Sequence, residues 1–93
     1  MIGSMCDKRI PAIRAGKSVK GFPSDLIARA QRKLAQLDAA SMLPDMSVPP
    51  SNNLEALKGD RAGQHSVRTS GQWRLCFIWR DGNAYDVEIV DYH

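Results

Sequence analysis

The chain has 93 residues, 43% hydrophobic and 25% charged, with 13 Lys/Arg against 10 Asp/Glu and a net charge of +3. That length suits one domain with one modest core, and that composition excludes a disordered polyelectrolyte. Two cysteines, Cys6 and Cys76, form neither a CxxC pair nor a disulfide framework, and with two histidines they offer no zinc-ligand spacing.

In chain order, residues 1–5 (MIGSM) read as a short edge strand, and residues 6–17, broken by Pro11 and Gly16, as room for one short helix. Ser24 and Asp25 follow Pro23 as candidate N-caps. Leu26, Ile27, Ala30, Leu34 and Leu37 then recur at helical spacing, predicting an amphipathic helix ending near Ala40. Residues 43–53, with Pro44, Pro49 and Pro50, read as a loop, and Leu54 and Leu57 as a short strand before a Gly59-Asp60 turn.

The remainder alternates. In Trp73–Arg80 the odd positions are Trp, Leu, Phe and Trp, and Tyr85, Val87 and Ile89 continue the odd, apolar parity. Odd residues are therefore expected against the helix, and even residues on an open face. The expected hairpin loops are Thr69-Ser70-Gly71, with Gly71 left-handed, and Asp81-Gly82-Asn83. That register sets Ser66 opposite Arg74, Arg68 opposite Gln72 and Glu88 opposite Cys76. His65, on the apolar face, is expected to be a satisfied packing residue, and Trp73 and Trp79 to belong to the core.

Arg68, Arg74, Glu88 and Tyr92 then share the open face, with Lys58 and His93 beside them. Residues 61–93 carry four arginines and no lysine, and arginine suits bidentate phosphate contact. No Walker loop, Ser-His-Asp order or metal-ligand set is present. Cations with a His and a Tyr suit a phosphodiester: a histidine such as His93 can serve as acid or base near pH 7, Tyr92 or Lys58 can move a proton, and Arg68 and Arg74 can stabilise developing charge. Each also has a bland reading, as strand arginines paired with Glu88 or Asp86, a solvated lysine, a rim tyrosine and a frayed histidine.

Residues 54–93 resemble the C-terminal half of HigB-type toxins of the RelE/ParE superfamily. The matching pieces are LKGDRxG at 57–63, the strand at 66–69, QWRLCF at 72–77 and DGxAYDVEIVDYH at 81–93, with RKLAQLDAAS at 32–41 and DMSVPPSNNLEALKG at 45–59 beside them. The resemblance implies an α+β fold, helices packed on a curved antiparallel sheet, over one domain, 1–93. It implies a ribosome-dependent endoribonuclease that cuts mRNA without metal or cofactor, inhibited by a helix-turn-helix antitoxin of the HigA type and meeting DNA only through that complex. It also maps the active site onto Lys58, Arg74, Tyr92 and His93, with Arg68 as the second arginine because Ser70 is not basic. With no signal-peptide core and no run of about 18 apolar residues, the chain is expected in the cytoplasm, away from membranes and with reduced thiols. Two alternatives are a gyrase inhibitor of the ParE kind, which does not need the Lys58/Arg74/Tyr92/His93 set, and a non-catalytic co-repressor that works with the antitoxin.

Overall fold

A computed structural model of the chain describes residues 1–92, so His93 lies outside the described residues. Two α-helices, α1 (Ile10–Arg14) and α2 (Ile27–Ala39), precede four strands, β1 (Glu55–Ala56), β2 (His65–Ser70), β3 (Trp73–Arg80) and β4 (Asn83–Asp91). The strands form one antiparallel sheet in the order β1-β2-β3-β4. This is the expected α+β arrangement.

The α2 stripe falls where the spacing puts it: Ile27, Ala30, Leu34 and Leu37 are buried. They meet Val67, Leu75, Phe77, Val87 and Ile89 from the sheet, with Ile10 and Ile13 of α1. Burying a side chain of this size contributes about 1.5–3 kcal/mol, so this layer supplies most of the fold's stability. The expected side-chain N-caps do not form. Ser24–Leu26 is a 3₁₀ turn, and the Ile27 N–H bonds to the Ser24 carbonyl. A 3₁₀ lead-in satisfies the first donors without a side chain. Residues 43–53 also hold two 3₁₀ turns, Leu43–Ser47 and Pro50–Asn52, pinned by fully buried Asn52, whose amide donates to the Met46 carbonyl at 3.0 Å.

Both hairpins keep the expected parity but turn more tightly. Arg80 pairs with Asn83, leaving the two-residue turn Asp81-Gly82 with φ of 52° and 78°. An Asp-Gly turn with two positive φ values matches the twist of the flanking strands. The extra residue reappears as a bulge at Asp86, φ 52°. Glu88 still faces Cys76, but before the bulge parity inverts: Ala84 is buried and Tyr85 is half-buried beneath the Arg80 guanidinium, not in the core. In the first hairpin Ser70 pairs with Trp73, and a bulge lies between Arg68 and Ser70. Gly71, φ 55°, takes the left-handed position as expected. The register differs from expectation by two residues, so that Ser66 faces Cys76 and Arg68 faces Arg74. The shift opposes fully buried Val67 to Leu75 and lets Trp73 pack edge-on against Phe22 at 4.8 Å. Trp73 and Trp79 pack against the core only partly buried. His65 stacks near Phe77, yet its buried Nδ1 has no hydrogen-bond partner among the described residues, so it packs without being satisfied.

The N-terminal run makes two parallel bridges to β4, Ile2 to Ala84 and Met5 to Val87, in place of a full strand. Gly3 allows the close approach there, because a Cβ would lie 2.5 Å from the Tyr85 ring and force it to shift. Asp7 and Arg9 continue the seal. The Asp7 carboxylate accepts from the Ile89 N–H at 3.1 Å, and Arg9 Nη2 donates to the Ile89 carbonyl at 2.8 Å and to Asp7 Oδ2 at 2.8 Å. The β4 edge is thus covered rather than left as a template for pairing.

Burial pushes the Asp7 carboxyl up, but hydrogen bonds from Arg9 and Ile89 outweigh it and hold the group below its ordinary value. A depressed carboxyl contributes stability that is present above its unfolded pKa of about 3.9 and lost as pH falls through the folded value. Asp7→Asn should therefore lower stability by about 1–3 kcal/mol at pH 7 and flatten the acid limb of the stability curve. Urea melts from pH 7 to pH 2 check this, and parallel curves for both proteins would contradict it.

Candidate active site

The even residues of β2–β4 form rows across the face away from α2. One row is Ser66, Cys76 and Glu88, and the next is Arg68, Arg74 and Val90. Tyr92 follows, its N–H donating to the Gln72 carbonyl at 2.7 Å. The middle of this face is closed, contrary to expectation: Arg74 is only 8% exposed, and Ser66 and Cys76 are fully buried.

Arg74 is held by its surroundings. Nε donates to Ser66 Oγ at 2.8 Å, and Nη2 donates to the Asn53 carbonyl at 2.6 Å and to the Ser66 carbonyl at 3.3 Å. Its carboxylate neighbour is Glu55, 4.0 Å away, rather than Glu88 or Asp86. This fixes a guanidinium beside the face in one orientation, with neutral acceptors taking most of its donors.

Glu88 pairs instead with Arg61, at 2.5 Å, and Arg61 also donates to Gln64 Oε1 at 3.0 Å. Sequence reasoning passed over Arg61 although it stands inside the LKGDRxG stretch. Its position in the 3₁₀ turn Gly59–Arg61 brings it to this face. The Glu88 contact raises Arg61 further above its ordinary value, so it is a permanent cation here.

The Tyr92 phenol lies 3.8 Å from Cys76 Sγ. Burial, helped by the Cys76 contact, pushes the phenol above its ordinary value, while the charges of Arg61 and Arg74 pull it down without prevailing. Burial likewise raises the Cys76 thiol, despite the lowering contact with Tyr92 and the nearby arginines. Both groups therefore carry their protons at neutral pH. Tyr92 remains 38% exposed and can reach a bound molecule.

The other expected members are arranged differently. Arg68 starts opposite Arg74, but its Nε turns to the Gly71 carbonyl at 3.2 Å, toward the end of the hairpin. Lys58 is exposed, immediately before the 59–61 turn, and its ammonium forms no hydrogen bond or ion pair among the described residues. The structure thus brings Arg74, Tyr92 and the additional Arg61 together, sends Arg68 to one side and leaves Lys58 at the rim. Among the described residues no group of three or more His, Cys, Asp or Glu is arranged to hold a metal ion.

A family model described as the RelE-like toxin of type II toxin-antitoxin system HigB matches residues 12–93. The chain belongs to this HigB-like family. Among relatives, it is 44% identical over 63 residues to Toxin HigB-1 of Vibrio cholerae serotype O1, a match covering 68% of this chain and 66% of that protein, just under two thirds. It is 29% identical to Endoribonuclease HigB of Proteus vulgaris over 93 residues, all of both chains. An uncharacterized protein of Haemophilus influenzae is 29% identical over 69 residues, 74% of this chain and 68% of that one. The family match spans the resemblance seen at 54–93, and a toxin-antitoxin family implies an antitoxin partner. Among the described residues no helix is long and apolar enough to cross a membrane.

Proposed function

We propose that this chain is a cytoplasmic endoribonuclease that cuts mRNA on the ribosome and is restrained by a helix-turn-helix antitoxin of the HigA type. The observation that carries this reading is the protonated, accessible Tyr92 phenol beside Arg61 and the fixed Arg74 guanidinium. The name of the full-length Proteus relative, Endoribonuclease HigB, points the same way.

In the cleavage step, a base removes the 2′-hydroxyl proton and the 2′-oxygen bonds to phosphorus. The P–O5′ bond then breaks, and an acid protonates the departing 5′-oxygen, leaving a cyclic phosphate and a 5′-hydroxyl. Tyr92 and His93 are the proton-transfer groups of this reading. Arg74, with Arg61, stabilises charge on the phosphorane, and Lys58 and Arg68 hold flanking phosphate. With a net charge of only +3, the chain relies on the ribosome to position the message.

Primer extension on a defined mRNA in a reconstituted translation reaction tests this. Cleavage inside the reading frame is expected only with ribosomes, falling by about 10²-fold or more in His93→Ala. If folded wild-type protein leaves the message intact, gyrase inhibition or co-repression takes over as the reading.

A further inference from the structure

Beyond the reacting face, the end of the first hairpin meets α2 in a recess of about 170 Å³, lined by Arg29, Lys33, Arg68, Thr69, Ser70 and Gly71 among others. At roughly 30 Å³ per water, it has room for a tetrahedral oxyanion and part of its hydration.

Its polar groups are incompletely used. Arg29 Nη1 donates to Ser70 Oγ at 2.9 Å, Arg68 Nε to the Gly71 carbonyl at 3.2 Å, and Lys33 Nζ to Asn52 Oδ1. These acceptors are all neutral, and among the described residues none of the three cations has a carboxylate partner. This contrasts with Arg9, Arg14, Arg61 and Arg74, each of which has one within 4.0 Å. Thr69 is the second, independent sign. It is 8% exposed, it lines the recess, and its buried hydroxyl has no hydrogen-bond partner among the described residues. Such a group is costly to bury unpaired, and an oxyanion would accept a hydrogen bond from it. Burial and neighbouring Arg32 already depress the Lys33 ammonium, a strain that a bound anion relieves.

We propose that this recess holds a backbone phosphate of the RNA, one displaced along the strand from the phosphate that reacts. Two Arg forks and a Lys suit phosphate oxygens. The position suits a strand already on the reacting face. Arg68 shares a row with Arg74 and Val90, and the Tyr92 N–H bonds at Gln72, next to Gly71. In the sheet β2 lies two strand spacings, roughly 9.6 Å, from β4, so a strand crossing the reacting face reaches the recess by passing over the end of the hairpin. Assigning the phosphate to RNA rests on the ribonuclease reading, whereas anion binding in the recess does not.

The test is amide-resolved NMR of the full chain, titrated with inorganic phosphate and, separately, with a short 2′-O-methyl RNA that cannot be cleaved. Phosphate should shift the Ser70 and Gly71 amides saturably. The oligonucleotide should shift the same amides. In an Arg29→Gln/Lys33→Gln variant with an otherwise unchanged spectrum, it should bind at least about tenfold more weakly, with a salt slope shallower by about 0.7. Lys33→Arg should keep wild-type affinity. Unmoved Ser70 and Gly71 amides, or a double variant with wild-type affinity and slope, overturn the proposal. If phosphate shifts them and the oligonucleotide does not, the RNA assignment is overturned. Loss of mRNA cleavage in translation reactions bears on the ribonuclease reading alone, since neither probe here is a substrate.

Discussion

Tyr92→Phe should lower ribosome-dependent mRNA cleavage by about 10²- to 10⁴-fold while changing stability by less than about 0.5 kcal/mol. The phenol is 38% exposed and makes one weak contact, 3.8 Å to Cys76 Sγ, so losing its oxygen leaves nothing important unpaired inside. The pH profile sharpens the expectation. Burial and the Cys76 contact raise the phenol, so the proton is present throughout the neutral range. It is lost only as pH rises through a value above the ordinary, about 10. If Tyr92 is the acid, its contribution is constant across neutral pH and disappears in alkali. A phenolate base would give the reverse slope. Single-turnover cleavage on programmed ribosomes, with thermal melts alongside, measures both quantities. A Tyr92→Phe protein that cuts as wild type does would remove Tyr92 from the chemistry.

Arg74→Ala should instead act chiefly through the fold, costing about 2–4 kcal/mol. Truncation strips hydrogen bonds from the Ser66 hydroxyl and from the Asn53 and Ser66 carbonyls, around a side chain that is only 8% exposed. At about 4–8 °C per kcal/mol for a domain of this size, the melting temperature should drop by at least about 8 °C. Arg68→Ala, whose exposed side chain makes one bond at the hairpin turn, should stay within about 0.5 kcal/mol of wild type. Urea melts of the two variants side by side check the difference. Equal stabilities would mean that the Arg74 network carries no net stabilisation. The same comparison guards the cleavage assay, because an Arg74→Ala protein unfolded at the assay temperature also fails to cut.

The α2 stripe and the strand parity were legible because burial imposes periods of 3.6 and 2 on apolar residues, and Ile27, Leu34, Leu37, Val67, Leu75 and Phe77 obey them. Register was less legible, because parity leaves a choice in steps of two residues. Only turn chemistry chooses among them, and both hairpins moved one residue from the loop into a bulge. That relocation at Asp86 inverted the parity of Ala84 and Tyr85. At the site, shared parity correctly put Arg74, Glu88 and Tyr92 on one face. It could not show that Asn53 and Arg61, from outside the three long strands, would occupy Arg74 and Glu88. Arg61 lies in an irregular turn, where no period marks which way a side chain points. Long, flexible Arg68 left its row for the hairpin end, a choice of side-chain rotamer rather than of pattern.

The seal between residues 1–9 and β4 joins segments far apart in sequence, with Ile89 bonded to Asp7 across 82 positions. During synthesis, α2 and the first hairpin can form as soon as they emerge, but β4 has no covered edge until residues 83–91 have cleared the ribosome and met a segment made at the start. Contacts so distant in sequence close slowly. The face bearing Tyr92 is therefore completed late in folding, when β4 closes against a segment 82 positions before it.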